Sequence, residues 1–158
     1  WNAAHDIGYS GLSEDELYRV IEFLERNYKV LISSEKELPD NLDKYQIDIP
    51  FKDIHHLLYY SDIYIGEGAT MASEAALLGT PAIYLNKLKV GYLEELSKKF
   101  KIVFMPQKID AIFKSINEIS KYGKDHYQSI RGEILSSKTD PNKFIISFIR
   151  SLNNSKDS

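Results

Sequence analysis

The chain has 158 residues, of which 43% are hydrophobic and 27% are charged, and this composition is typical of a single globular domain. The formal net charge is -3 and the Lys and Arg residues are scattered, which excludes a nucleic-acid binder that depends on a basic stripe. No apolar run approaches the roughly 20 residues that cross a bilayer, and the absence of Cys excludes disulfides and thiolate metal sites and favours the cytoplasm.

Helices and strands alternate through the first hundred residues. A capping box at Ser13 and Glu16 opens the first helix, and the periodicity of the apolar residues assigns the later elements. In chain order, the predicted elements are a helix over 13–27, a strand over 29–33, an edge strand over 46–49, a helix over 53–60, strands over 63–66 and 82–85 joined by a short helix, a helix over 91–100, a strand over 101–104 and three closing helices.

The closing helices carry apolar stripes at helical spacing. The last of them begins at Asp140-Pro141, a cap followed by proline at the first helical position. We expect this helix to bury four large side chains: Phe144, Ile145, Phe148 and Ile149. Residues 153–158 are predicted to form a frayed polar tail.

This order of elements predicts the fold class. The inner strands are apolar on both faces, as in a parallel sheet that helices cover on both sides. We therefore predict a three-layer, doubly wound, Rossmann-like α/β domain over residues 1–158. Such a domain usually starts with a central strand, for which only Trp1–Ala3 remain here. Because the chain begins without an initiator Met, we interpret it as a fragment of a longer protein that supplies this largely missing first strand and an N-terminal lobe.

The candidate site is the turn that joins the strands at 63–66 and 82–85. Gly66, Gly68 and Ala69 leave the turn without bulky side chains, so a ligand can approach the backbone. Thr70 is predicted as the N-cap of the following helix, whose unbonded N–H groups would hold a phosphate. The alternative is that small residues are needed at any tight strand-to-helix turn. The spacing is not GxGxxG and no P-loop lysine follows, which argues against classical dinucleotide or triphosphate binding.

Charged residues near this turn suggest further roles. Glu74, one turn into the helix, could accept hydrogen bonds from both hydroxyls of a ribose, or could simply be favoured by the helix dipole. Glu67 could be a general acid or base, or a solvated turn residue. His5, beside Asp6 in the first loop, could hold a phosphate or transfer a proton, or could be an ordinary surface histidine. The spacing of the histidines predicts no metal site.

Three stretches resemble a bacterial and archaeal domain family of unknown function: WNAAHDIGYSGLS, IHHLLYYSDIYIGEGATMASEAALLGTPAIYLN and GYLEEL. That family is related to the C-terminal half of UDP-N-acetylglucosamine 2-epimerases and of GT-B glycosyltransferases. The resemblance covers roughly residues 1–104 and implies the C-terminal lobe of a GT-B fold. In the relatives, a nucleotide-sugar lies between two lobes and is held mostly by the C-terminal one.

The resemblance also implies roles for individual residues. The turn of Gly68, Ala69 and Thr70 matches the turn that binds the UDP diphosphate in the epimerases, and Glu74 matches the glutamate that binds the ribose. His5 matches a histidine of the first loop. Ile54 and His55 fall near the segment that contacts the uracil.

The chain departs from the epimerase pattern in two places. Ala69 replaces a usual glycine, and Asp6-Ile7-Gly8 follows His5 where the epimerases have basic and acidic neighbours. We therefore expect a UDP-sugar-binding lobe of a glycosyltransferase of surface-polysaccharide synthesis.

The alternatives are a UDP-N-acetylglucosamine 2-epimerase and a non-catalytic nucleotide-binding or structural lobe. No cofactor is expected besides the UDP-sugar substrate. The expected partners are UDP or a UDP-sugar and the missing N-terminal lobe, and a second copy of the chain is a further candidate.

Overall fold

The computed structural model describes residues 12–34 and 38–154, with the backbone alone for residues 152–154. Short 3-10 helices occupy Asp40–Tyr45 and Phe51–Asp53. The α-helices and strands, in chain order, are α1 Glu14–Glu25, α2 Ile54–Tyr60, β1 Tyr64–Gly66, α3 Ala69–Leu77, β2 Ala82–Tyr84, α4 Gly91–Lys98, β3 Val103–Phe104, α5 Ile109–Ile119, α6 Lys124–Ser136 and α7 Pro141–Asn154.

The strands form one parallel sheet, as the sequence predicts, and their order in it is β1-β2-β3. Tyr64 pairs with Ala82, and Ala82 pairs in turn with Val103. Every residue of β2 is at most 1% exposed. Since neighbouring side chains on a strand point to opposite faces, both faces of the middle strand are covered. The α/β class with a parallel, Rossmann-like sheet is therefore confirmed.

Helix α3 packs against all three strands and against three of the other helices. It packs on β1, β2 and β3 and also contacts α2, α4 and α6. Its inward face consists of Ala72, Ala75 and Ala76, all fully buried. Because alanine adds only a methyl group, the helix axis can approach the sheet closely. α1 packs against α5, and its capping box between Ser13 and Glu16 is formed as predicted.

The segments predicted as strands at 29–33 and 46–49 make only one parallel bridge, between Ile32 and Gln46. Two backbone bonds hold it, from Ile32 N–H to the Tyr45 carbonyl at 2.8 Å and from Ile47 N–H to the Ile32 carbonyl at 3.0 Å. The prediction of two regular strands is wrong, because no ladder joins this pair to β1 within the described residues. The predicted first strand, for which the sequence leaves only Trp1–Ala3, falls on residues outside the described ranges.

The expectation that α7 buries its apolar residues is also wrong. Phe144, Ile145, Phe148 and Ile149 are between 52% and 60% exposed. Asp140 caps the helix as predicted, with its Oδ1 atom 2.9 Å from the Asn142 N–H nitrogen, but α7 packs closely against no other element of the described chain. Periodicity predicts an apolar face without specifying what covers it. α7 continues to Asn154, two residues into the predicted tail. None of the helices in the described ranges combines the length and apolar character needed to cross a bilayer.

The end of α3 depends on a glycine. Gly79 has φ +81, and Thr80 N–H bonds back to the Ala75 carbonyl at 2.9 Å, as in a Schellman cap. The Gln128 side chain of α6 donates to the Leu78 carbonyl at 2.9 Å and occupies the space where a β-carbon at residue 79 would lie.

We expect Gly79→Ala to lower the free energy of unfolding by about 1–3 kcal/mol, since the left-handed backbone is strained for alanine and Gln128 must move. Gly132→Ala is the matched control: Gly132 lies inside α6 with open space around it, so this change should raise stability by about 0.5–1 kcal/mol. Urea denaturation of both variants measures the difference. An unchanged stability in Gly79→Ala would contradict the assignment of this cap.

Because α7 is exposed, we expect replacing one of its large apolar residues to change the free energy of unfolding much less than replacing a buried residue of α6. Phe148→Ala should change the free energy of unfolding by less than about 0.5 kcal/mol, since the ring leaves no cavity. Ile134→Ala should cost about 2–5 kcal/mol, because Ile134 is fully buried. Thermal unfolding compares the two variants, and an equal loss would show that α7 is buried in solution.

Candidate active site at the carboxyl edge of the sheet

The candidate site begins where β1 ends and α3 starts. Gly68, with φ -76 and ψ 114, is the N-cap residue, and its carbonyl accepts the first intrahelical bond, from Ala72 N–H at 3.0 Å. The prediction that Thr70 is the N-cap is therefore wrong: Thr70 is the second residue of α3 and its side chain is exposed. The cap therefore lies two residues earlier than predicted, and α3 begins at Ala69.

The N-cap residue Gly68 has no side chain that could cap α3. The N–H groups of Ala69, Thr70 and Met71 precede the first intrahelical bond, so they cannot bond within the helix. Together with the helix dipole they favour an anion at this end. Anion binding at this turn stays a prediction, with Gly68 in place of Thr70 at the cap position.

The space above the turn is not open along its whole length. A β-carbon at Gly66 would overlap the hydroxyl of Tyr64, whose ring lies over this glycine. At Gly68 the nearest atoms to such a carbon are 3.7 Å or more away. Gly66 is therefore required by Tyr64, whereas Gly68 has enough space around it for a β-carbon.

Tyr64 is a site residue that the sequence reasoning missed. Residues 64 and 66 share one face of β1, so a large residue two positions before a glycine was the available signal. Burial, and then the carboxylates of Glu67 and Glu74, raise the pKa of Tyr64 to about 12. Its hydroxyl therefore stays protonated at neutral pH and lies in the field of both carboxylates.

Glu67 is buried, with 8% of its surface exposed. The interpretation as a solvated turn residue is wrong, because the carboxylate turns inward at the end of β1. Its role as a general acid or base stays a prediction. His5 and Asp6 lie outside the described residues.

A histidine–carboxylate pair joins α2 to α3 behind the turn. Nε2 of His55 lies 3.1 Å from Oε2 of Glu74. Both side chains are partly accessible, at 54% and 35% exposure, so a ligand can reach them. Ile54, the other predicted residue of this segment, is half-buried. The structure therefore joins Glu74 to His55, a contact that sequence spacing did not predict.

The loop after β2 lies at the same edge, because the carboxyl ends of parallel strands meet there. Leu85 N–H donates to the Gly66 carbonyl at 2.9 Å and ties this loop to the turn. Asn86 is 4% exposed, and its Oδ1 atom accepts from Leu88 N–H at 2.9 Å. The exposed Lys87 and Lys89 follow, so cations are available on the neighbouring loop.

The described part of the chain contains no group of three His, Cys, Asp or Glu side chains placed to hold a metal ion. A cavity of about 100 Å³ lies at the opposite edge of the sheet, lined in part by Ser61, Asp62, Pro81 and Lys124. None of the predicted site residues lines it. The candidate site is thus an open surface at the carboxyl edge, the edge at which ligands bind in open α/β sheets.

The overlap at Gly66 predicts a double-mutant result. Gly66→Ala should lower the free energy of unfolding by about 1–3 kcal/mol, because the Tyr64 ring must move. In a Tyr64→Val background the same change should cost clearly less, giving a coupling of about 0.5–3 kcal/mol. Gly68→Ala, as the control, should cost less than about 1 kcal/mol. Additive effects in the denaturation cycle would contradict the placement of the ring.

No curated protein and no solved structure gives a significant match to this chain. One family model, described as a protein of unknown function (DUF354), matches residues 8–146. The matched range includes the turn, His55 and Glu74. Because it spans most of the sequence, the chain belongs to the DUF354 family.

Proposed function

We propose that this chain is the nucleotide-sugar-binding lobe of a GT-B-like glycosyltransferase that uses a UDP-sugar. The observation that carries the proposal is the His55–Glu74 pair, which lies one turn behind the start of a helix without a side-chain cap. An anion-binding end and a hydroxyl acceptor on the same helix match two parts of one nucleotide, its phosphates and its ribose.

The diphosphate would bind at the first turn of α3. The N–H groups of Ala69, Thr70 and Met71 point along the helix axis toward the carboxyl edge. These fixed dipoles favour the negative charge that builds up on a departing diphosphate, and they need no reorganisation during the reaction. The turn of Gly68 leaves room for phosphate oxygens to approach the backbone.

The ribose would bind near Glu74. Glu74 follows Ala69 by five positions, about 7.5 Å along the helix axis, so the two groups can contact neighbouring parts of one ligand. The carboxylate accepts hydrogen bonds from ribose hydroxyls. Such charge-assisted bonds are stronger than neutral ones, and they fix the nucleotide in place while the sugar reacts.

Glu67 and His5 are the proposed acid–base groups. Glu67 is buried at the end of β1 beside the diphosphate position, which is where a proton donor or acceptor near the leaving group is needed. In the GT-B-like arrangement that we propose, an N-terminal lobe would bind the acceptor and supply most groups that contact the sugar. We therefore expect the described lobe to bind nucleotide and not to catalyse transfer alone.

We expect UDP to bind and Glu74→Ala to weaken its affinity at least about tenfold, because a charge-assisted hydrogen bond is lost. Isothermal titration calorimetry with UDP, UDP-N-acetylglucosamine and ADP measures this. Glu133→Ala removes an exposed helical glutamate of α6 and is the matched control. ADP binding as tight as UDP binding would refute the uridine assignment, and no binding of any nucleotide would refute the site.

A second experiment separates transferase from epimerase. The full-length protein is incubated with UDP-N-acetylglucosamine and no acceptor, and the sugar is analysed by NMR. A glycosyltransferase should leave the gluco configuration unchanged. Appearance of the manno epimer would replace our proposal with the 2-epimerase reaction.

A further inference from the structure

Nε2 of His55, on α2, contacts the Glu74 carboxylate of α3, and both His55 and its neighbour His56 are exposed on this helix. We infer that His55 is a positioning residue that holds Glu74 in the orientation needed to recognise the two adjacent hydroxyls of a ribose. The pair would thereby select ribonucleotides over 2′-deoxyribonucleotides. This inference rests on the proposed function, because it names the sugar chemistry that the same site reads.

The contact leaves part of the carboxylate available. Nε2 of His55 approaches only Oε2 of Glu74, at 3.1 Å. A carboxylate has about four acceptor positions on two oxygens, so Oε1 and the second lone pair of Oε2 can still accept hydroxyl hydrogens. One oxygen is used to orient the group and the other is presented to a ligand.

The physical effect of His55 is preorganisation. A glutamate side chain has three rotatable bonds, and ordering it on ligand binding is unfavourable in entropy. The contact between α2 and α3 restricts this freedom before a ligand arrives, so less is lost on binding. The pair is partly exposed to solvent, and exposed ion pairs contribute little to folding. We therefore assign it to ligand binding rather than to stability.

Other groups around Glu74 limit the directions that it can take. Tyr64, on the β1 side, lies close enough for the carboxylate to raise the phenol pKa. Glu67 is a second carboxylate close enough to Tyr64 to raise the phenol pKa, and His55 contacts Glu74 from α2. The hydrogen bond between Glu74 and His55 thus ties the carboxylate to α2.

The two carboxylate oxygens of Glu74, held in one orientation, indicate which kind of ligand group they would bind. Adjacent 2′ and 3′ hydroxyls can donate to the same carboxylate as a pair, whereas a deoxyribose has only one hydroxyl there. Loss of a hydrogen bond to a charged group lowers affinity about tenfold or more. A carboxylate that rotates freely would bind the pair less well and discriminate less.

The test compares UDP with 2′-deoxyuridine diphosphate by calorimetry in four proteins: the unaltered chain, His55→Ala, His55→Gln and His56→Ala. We expect the unaltered protein to prefer UDP about tenfold. His55→Ala should reduce this ratio at least threefold, and His55→Gln should restore most of it, because an amide N–H can also reach the carboxylate. The matched control, His56→Ala, should leave the ratio unchanged.

The outcomes separate the inference from the proposed function. If the unaltered protein binds UDP but His55→Ala keeps its ratio, or if His56→Ala reduces the ratio equally, the positioning role is refuted and the nucleotide site stands. If the unaltered protein binds neither nucleotide, both are refuted. Circular dichroism melting of each variant confirms that a changed ratio does not come from unfolding.

Discussion

The close packing of α3 on the sheet is the constraint on which the rest of the structure depends. Its inward side chains are alanines with no exposed surface, and the middle strand beneath is buried on both faces. A larger residue at Ala72 or Ala75 would push the helix away from the strands. Because α3 begins directly after β1, this packing places the start of the helix at the carboxyl edge and directs Glu74 toward α2.

A glycine lies at each end of α3, and only the one at the end of the helix is required by its backbone conformation. At the start, Gly68 connects the strand to the helix without a side-chain cap, which leaves N–H groups that can bind an anion. At the end, Gly79 adopts a left-handed conformation and side chains of α6 bond the last carbonyls, with Arg131 donating to Leu77 at 3.0 Å. The carbonyl end is thus satisfied within the fold, and the amide end is available to a ligand.

Near the turn, backbone N–H groups that favour an anion lie close to two carboxylates. The N–H groups attract a diphosphate, whereas the carboxylates repel it. Glu67 is buried and Glu74 is held against His55, so neither needs to occupy the phosphate position. The exposed Lys87 and Lys89 on the loop after β2 supply positive charge at the same edge. Separate positions for phosphate and ribose therefore resolve the apparent conflict.

Much of the fold could be predicted from local sequence. The capping box of α1, the apolar strands β1 and β2 and the proline-started α7 each depend on residues within one or two turns of each other, so patterns in the sequence report them directly. The two segments around Ile32 and Gln46 could not be predicted as well, because a strand becomes regular only when neighbours bond along its length. The family membership and the parallel sheet agree with the sequence interpretation, while the substrate stays a proposal.

The sequence by itself determined that a small-residue turn joins two buried strands and that Glu74 follows it on a helix. Only the tertiary structure decided that the Tyr64 ring fills the space over Gly66, that Gly68 replaces Thr70 as the cap, that His55 contacts Glu74, and that the apolar face of α7 is exposed. The physical reason is the range of the forces involved. Helical periodicity and turn chemistry act between near neighbours, whereas the His55–Glu74 contact and the exposed face of α7 depend on how separate elements pack or fail to pack against each other. The Tyr64 ring and the cap at Gly68 involve near neighbours, but the orientation of a ring and the residue at which a helix starts are decided only in the folded backbone.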